Sequence, residues 1–172
     1  MTLMSGINAL FSRYTNQEDI ILGTPIAGRQ HPDLENQIGL YLNTLAIRTP
    51  INSEQHFIDL LKTEKEILLA AYEHQDYPFD ELVSKLNLKR DPSRSVVFDA
   101  MVVLNNQQQL KNIDTESEWG DLEVSSYRLE NNTAQFDISF TFKEDEQLHL
   151  NIEYNTDIYE REMMSRMLEH FE

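Results

Sequence analysis

Phe136-Asp137-Ile138-Ser139-Phe140-Thr141-Phe142 and Leu148-His149-Leu150-Asn151-Ile152-Glu153-Tyr154 alternate apolar and polar residues without a break. A period of two marks a strand with one buried and one wetted face. The residues between them, Lys143-Glu144-Asp145-Glu146-Gln147, are all polar, so the pair reads as an antiparallel hairpin. Such a hairpin needs a cover for its apolar face, and the flanking segments provide one. Residues 122–129 read as its neighbouring strand, completing a late antiparallel meander. Residues 158–171 read as a helix with Met163, Met167, Leu168 and Phe171 on one side.

Working back toward the amino terminus, residues 95–104 are apolar and β-branched enough for a strand buried on both faces. Residues 105–118 are polar and read as a loop. Asp19-Ile20-Ile21-Leu22-Gly23 reads as a short buried strand ended by Gly23 and Pro25, and residues 40–47 as another, interrupted by Asn43-Thr44. Met4, Ile7, Leu10, Phe11 and Tyr14 recur at helical spacing. Asn52-Ser53, with Gln55 in capping-box position, opens a helix whose core side is Phe57, Leu61, Leu68 and Tyr72 and which reaches His74. Pro78 suits the first turn of a further short helix. Helices and strands alternate early and a meander follows late. The fold class is therefore α/β (α+β): a mixed sheet covered by helices, with residues 1–172 as one unit.

The 172 residues carry no cysteine, which removes disulfides, thiolate nucleophiles and cysteine-ligated metals. The net charge of −16 argues against a protein that holds nucleic acid through phosphates. Residues 112–172 hold sixteen acids against four bases and so supply −12 of it. No apolar run approaches the roughly 20 residues of a membrane span, so no membrane partner is expected. Met1-Thr2-Leu3-Met4-Ser5-Gly6 has no basic segment or cleavage site, and a cytoplasmic location is the expectation. Against the acidic background Lys85, Lys89, Arg90 and Arg94 form the compact basic stretch, either a solvated helix end or a dock for an anion.

Catalytic templates are missing. The sequence has no Gly-x-Ser-x-Gly elbow, phosphate loop or dinucleotide fingerprint, and its five histidines are scattered without an i, i+4 pair that would favour a metal. His74-Gln75-Asp76-Tyr77-Pro78-Phe79-Asp80 ends one helix and opens another, and Tyr77 before Pro78 must be extended. On physical grounds Asp76 or Asp80 caps the second helix and His74 complements the negative end of the first. Asn43 and Thr44 are polar groups within an apolar strand and need hydrogen bonds there.

Three motifs then occur in order. They are Ile38-Gly39-Leu40-Tyr41-Leu42-Asn43-Thr44-Leu45-Ala46-Ile47-Arg48, preceded by Gly23-Thr24-Pro25-Ile26-Ala27-Gly28-Arg29; then His74–Asp80; then Arg90-Asp91-Pro92-Ser93-Arg94-Ser95-Val96. Phe98-Asp99-Ala100-Met101-Val102-Val103-Leu104-Asn105-Asn106 and Tyr154-Asn155-Thr156-Asp157 add to them. Together they resemble the C-terminal half of a condensation domain of a nonribosomal peptide synthetase. The third motif departs from the pattern at Ser95, where the family usually has Asn.

The resemblance implies a chloramphenicol-acetyltransferase-like fold, two similar halves forming a V with a tunnel between them. Aminoacyl groups on the phosphopantetheine arms of carrier domains enter that tunnel from opposite sides, and the acceptor amine attacks the donor thioester. The family's catalytic His-His-x-x-x-Asp-Gly lies in the other half, and this sequence has no His-His pair. No catalytic residue, no metal and no directly bound cofactor is therefore expected in this chain, which alone is expected to be inactive. Its implied partners are the N-terminal half, which is absent here, and the carrier (thiolation) and adenylation domains of a synthetase. The last helix is expected to be truncated.

Residues 24–46 map onto the tunnel floor and residues 95–118 onto a crossover between the halves. Asn43 and Thr44 either line the tunnel or brace it. His74, Gln75, Asp76, Arg90 and Arg94 are channel or structural positions, with Arg90 and Arg94 pairing with Asp91, Asp99 or Asp76. Alternatively Lys85, Lys89, Arg90 and Arg94 meet a carrier's phosphate. An uncovered apolar face is expected to drive self-association, through paired strand edges near residues 96–104. The competing readings are a non-catalytic carrier- or partner-docking module and a subdomain of an epimerisation or heterocyclisation relative.

Overall fold

Phe140 and Phe142, two apolar positions of the hairpin, are completely buried. Their strand, β4 (Ile138–Glu144), pairs antiparallel with β5 (Leu148–Tyr154), Phe140 opposite Ile152 and Phe142 opposite Leu150. The alternation thus fixes both the hairpin and its register. The computed structural model describes residues 1–34, 36–88, 94–105, 133–144 and 147–172. The predicted strand at 122–129 and most of the predicted loop at 105–118 lie outside them. The neighbour of β4 on its other side is β3 (Ala100–Asn105), which runs parallel to it.

The remaining elements follow the hydrophobic pattern with shifted ends. They are α1 (Thr2–Thr15), β1 (Asp19–Ile26), β2 (Asn43–Pro50), α2 (Phe57–Glu73), α3 (Phe79–Leu86) and α4 (Arg161–Phe171). The described strands form one mixed sheet in the order β2-β1-β3-β4-β5. β1 pairs antiparallel with β2, while β1, β3 and β4 are mutually parallel. The predicted α/β class and mixed sheet are therefore what the chain forms. β3 lies inside the sheet, buried at Ala100, Met101 and Val102 in succession. That corrects the expected pairing of copies through residues 96–104, because β3 has a strand on each side and the outer described strands are β2 and β5.

Register places Leu22, Ile47, Ala100, Ile138, Val102 and Phe140 on one face of the sheet. Helices α1, α2 and α4 share that face's core through Ile7, Leu60, Leu68, Met164 and Met167. Phe11 meets Phe140 edge-on at 5.6 Å between ring centroids, and Phe142 meets Phe171 at 5.7 Å. Each fully buried phenylalanine contributes about 1.5–3 kcal/mol. Among the described residues the opposite face is covered thinly. Phe98 lies across Gly23 so closely that a Cβ there would overlap its ring, and Phe98 stacks in turn with Phe79 of α3 and with Phe136. Gly23 is thus a strand residue chosen for close approach.

Several ends differ from expectation. β1 runs through Gly23 and Pro25 to Ile26, because its pairing with β3 is confined to Leu22 and Gly23. By Pro25 the strand has, among the described residues, a neighbour on one side only, where a missing N–H is tolerated. β2 begins at Asn43 instead of residue 40, and Leu40 and Leu42 are exposed. β3 begins at Ala100 instead of residue 95, since Phe98 has turned onto the sheet face. α4 begins at Arg161, after a turn in which the Ile158 N–H donates to the Asn155 carbonyl.

The N-cap of α2 is His56. Asn52 instead organises the preceding turn, its Oδ1 accepting from the Glu54 N–H at 3.0 Å. The buried face of α2 is Leu60, Glu64 and Leu68, with Phe57 and Tyr72 exposed. The expected stripe is rotated because Glu64 is buried despite its charge. Its Oε2 accepts from Asn8 Nδ2 at 2.9 Å and from Thr49 Oγ1 at 2.8 Å, tying α2 to α1 and β2. Burial pushes its carboxyl above the usual range, against the pull of those two donors.

Candidate functional site

Three parallel strands, β1, β3 and β4, end on the same edge of the sheet. In open sheets of this kind that carboxyl edge is where the connecting loops build sites. Residues 27–42 leave β1 at that edge and return as β2. Within them Ile38, Leu40 and Leu42 stand in solvent at 104%, 87% and 65% relative exposure.

The return is fixed by Asn43. Its Nδ2 donates to the Gln75 and Tyr77 carbonyls, both at 2.8 Å, and its Oδ1 accepts from the Phe79 N–H at 3.2 Å. The whole amide is therefore spent on the corner between α2 and α3. Phe79 is the first residue of α3 and Pro78 its N-cap, which has no side-chain cap of its own. Asn43 supplies that cap from a different strand. This corrects the expectation that Asp76 or Asp80 caps α3. Asp76 instead accepts from Gln30 Nε2 at 2.9 Å, a second tie between the 27–42 segment and the corner. The Asp80 carbonyl accepts from Ser84 Oγ.

Of the two expectations for Asn43, tunnel-lining or bracing, its bonds match bracing. Thr44 sits opposite Pro25 in the β1–β2 register and is half-buried. His74 is the C-cap of α2, where its N–H donates to the Ala71 carbonyl at 3.1 Å and its carbonyl accepts from the Tyr77 N–H at 3.1 Å. Its side chain is exposed at that helix end. Gln75 enters through its carbonyl, held by Asn43. The first two motifs therefore meet in space, joined by Asn43 and by the Gln30–Asp76 bond. The Gln30 contact carried no signal in the sequence, because nothing in periodicity or spacing links positions 30 and 76.

The basic stretch behaves differently. Arg94 pairs with Asp99 through Nη2 and Oδ2, as one of the expected pairings had it. Asp137 lies near enough for Asp99 to add to the burial that raises its carboxyl above the usual range, with Arg94 opposing. Lys85 Nζ stands 4.9 Å from the Tyr77 ring centroid, a cation–π contact. Lys89, Arg90 and Asp91 lie outside the described residues, as does Asn106. The third motif is therefore described only from Arg94 onward.

Among the described residues, reactive chemistry is not concentrated at this edge. His31 Nδ1 and Asp33 Oδ2 are 3.5 Å apart, both well exposed, within the turn at Pro32–Leu34. Among the described residues no group of three or more His, Asp or Glu could hold a metal ion. A cleft of about 370 Å³ lined by Arg13, Asn16, Gln55 and Phe57 lies between the end of α1 and the start of α2, at the far end of β1 and β2. A second of about 260 Å³ reaches Asp19, Asp99 and Tyr159. Among the described residues no helix is long and apolar enough to cross a membrane.

A profile of the Condensation domain family matches residues 1–172. The chain is 44% identical over 171 residues to bacitracin synthase 1 of Bacillus licheniformis, a match that covers 99% of the chain and 3% of the relative. The chain thus spans a small fraction of that relative's length. Among solved structures it resembles a four-domain nonribosomal peptide synthetase bound to AMP and glycine, with a TM-score of 0.89, 22% identity, and coverage of 99% of this chain and 14% of that one. It also resembles the first condensation domain of the CDA synthetase, with a TM-score of 0.72, 16% identity, and coverage of 99% and 37%. These likenesses bear out the fold.

Proposed function

The chain belongs to the condensation-domain family, and on that premise we propose that it is the C-terminal lobe of a domain that forms peptide bonds in a nonribosomal peptide synthetase. The observation that carries this reading is the meeting of two motifs at Asn43, beside three apolar side chains held in solvent. Coverage of only 37% of a solved condensation domain supports the view that a larger part of the working unit lies elsewhere. So does the absence of any His-His pair from the sequence.

In this reading the acceptor amine, carried on one phosphopantetheine arm, attacks the donor thioester carried on another. The C–N bond forms, the thiolate leaves, and the amine proton passes to a base. Acyl transfer of this kind needs such a base and donors aimed at the developing oxyanion. The companion N-terminal lobe supplies the imidazole. The present lobe supplies the wall: residues 24–46 as floor, with Asn43, Thr44, His74, Gln75 and Asp76 beside the channel; of the 95–118 segment expected to cross over, Ala100–Asn105 is β3, inside this lobe's own sheet. Carrier and adenylation domains are its neighbours, and Lys85, Lys89, Arg90 and Arg94 are carrier-docking positions. Arg94 is already engaged by Asp99, so its role in docking is secondary to holding the approach to β3. The site of action is the cytoplasm.

The test is to assay condensation of carrier-borne aminoacyl substrates by the chain alone and after mixing with the N-terminal lobe. The expected result is no product from the chain alone and product from the pair. Product from the isolated chain would overturn the lobe reading. Binding of carrier without product from the pair would favour the docking-module alternative. The exposed Ile38, Leu40 and Leu42 are expected to make the isolated chain self-associate, read by sedimentation velocity, and the companion lobe to reverse it.

A further inference from the structure

Among the described residues of 27–42 the regular structure is a single short turn, Pro32–Leu34, yet one side chain closes the segment. The Arg29 guanidinium donates through Nη1 to the Leu34 carbonyl and to the Gln37 carbonyl at 2.8 Å, and through Nη2 to the Gly39 carbonyl at 3.2 Å. Its central carbon lies 4.3 Å from the centroid of the Tyr41 ring. The Tyr41 hydroxyl donates to Gln37 Oε1 at 2.7 Å, closing the circuit. Gly28 makes the approach possible: its φ is +61°, and a Cβ there would strike the Tyr41 carbonyl.

Arg29 therefore does for this loop what a ladder does for a strand, by donating to the Gln37 and Gly39 carbonyls and joining the Gln37 N–H on the Leu34 carbonyl. A planar fork that donates in several directions and stacks on a ring fits this task, and a lysine ammonium does not. What the loop then holds outward is Ile38, Leu40 and Leu42. Apolar side chains kept in water on a loop tied into one shape form a presented surface. The loop is tied at its base as well, by Gln30 to Asp76 and by Asn43 to the α2–α3 corner.

We infer that Arg29 is the positioning residue of the 27–42 loop, fixing the Ile38–Leu40–Leu42 face on which the companion lobe seats. The inference rests on the lobe reading above. Arg29 touches no substrate and acts through the loop it closes, so its loss displaces the wall while leaving the sheet intact.

The experiment compares the wild-type chain with R29A and R29K by hydrogen exchange, thermal melting and condensation with the N-terminal lobe. In both variants the Leu34 and Gln37 amides, which donate to the His31 and Leu34 carbonyls, are expected to exchange about tenfold faster, with β1, β2 and the melting temperature unchanged. In the assembled pair kcat is expected to fall about tenfold at unchanged KM for the acceptor carrier, since misplacement costs turnover more than docking. Unchanged exchange at Leu34 and Gln37 would overturn the inference, as would full protection in R29K or wild-type kcat in a variant whose loop has opened. Should R29A fail to fold, R29K decides alone. A wild-type pair that makes no product would sink the lobe reading, while the exchange contrast would still report on the Arg29 clamp.

Discussion

Two polar side chains hold this molecule together in two settings, and the settings decide what each is worth. Glu64 sits in the layer between α1, α2 and β2, completely buried, with Asn8 and Thr49 donating to it. Asn43 sits near the surface at the carboxyl edge, spending one amide on three backbone groups of the α2–α3 corner. Glu64 lies within a continuous apolar core built by α1, α2, α4 and the sheet. Asn43 has little apolar cover around it: the corner rests on Phe79 and Phe98 and on the bonds of the 27–42 segment. The helix-covered face is stabilised by burial and merely pinned by a polar group, whereas the edge is built from polar bonds and presents apolar groups outward.

The sharpest way to break that contrast is to remove burial itself. Phe140→Ala in the helix-covered core is expected to cost about 3–5 kcal/mol, through lost transfer energy and the cavity left against Phe11. Chemical denaturation should show a lower midpoint with an unchanged m-value. A loss below about 1 kcal/mol would mean that the core repacks freely and that the distinction between the faces is false.

Next comes the edge. Asn43→Ala removes a cap and two carbonyl partners, and is expected to cost about 1–3 kcal/mol. The damage should be local: faster exchange at residues 75–80 with β3 and β4 still protected. Asn43→Asp keeps the acceptor for the Phe79 N–H and loses the donors, so it should retain α3 while loosening the Gln75 and Tyr77 carbonyls. Uniform loosening of the whole sheet by either variant would place Asn43 in the core's cooperative unit instead.

The two regions also differ in how far the sequence discloses them. The period-two runs disclose the hairpin and its register, and the helical spacing discloses α1, because burial writes itself as periodicity. Where a polar residue is buried the pattern misleads: Glu64 on the core side of α2 turns the expected stripe away from Leu60. Strand ends are misplaced for a related reason, since Leu40 and Leu42 are apolar yet serve the surface. Asn43 is legible as an oddity, a polar group where the strand pattern wants an apolar one. Its partners at positions 75, 77 and 79 are not, nor is the Gln30–Asp76 bond, because contacts across more than thirty residues leave no local spacing. The family motifs reach the corner where periodicity does not.

Glu64 provides the pH test. Burial raises its pKa in the folded state above the ordinary value near 4.5, so the native protein holds this proton more tightly than the unfolded chain. Stability from this group is therefore complete below about pH 4.5 and is lost as pH rises through the folded value. Glu64→Gln is neutral throughout and keeps an oxygen for Asn8 and Thr49, so its stability should lack that decline. Denaturant midpoints measured for both proteins across this range should diverge as pH rises and then run level once the carboxyl has lost its proton. Parallel pH profiles for the two proteins would show that Glu64 is as well solvated as an edge residue.

The smallest effect is expected where a pair has the geometry of a strong bond and the setting of a weak one. Arg48 grips Asp19 across the β1–β2 pair, Nε to Oδ1 at 2.9 Å and Nη2 to Oδ2 at 2.7 Å. The guanidinium holds the Asp19 carboxyl below the usual range, so any stabilisation is present above that range and lost as pH falls through the lowered value. Both side chains are more than half exposed, and water and salt screen what the geometry offers. Asp19→Asn should leave the melting temperature within experimental scatter, and raising the ionic strength should erase any residue of difference. Asn43 makes bonds of similar length near the same surface, yet its loss is expected to matter, because its partners are backbone groups: the Phe79 N–H, which at a helix start has no helical carbonyl to receive it, and the Gln75 and Tyr77 carbonyls before it. Bond length does not distinguish the two sites. What distinguishes them is whether solvent can replace the partner, and equal losses from Asp19→Asn and Asn43→Ala would refute that distinction.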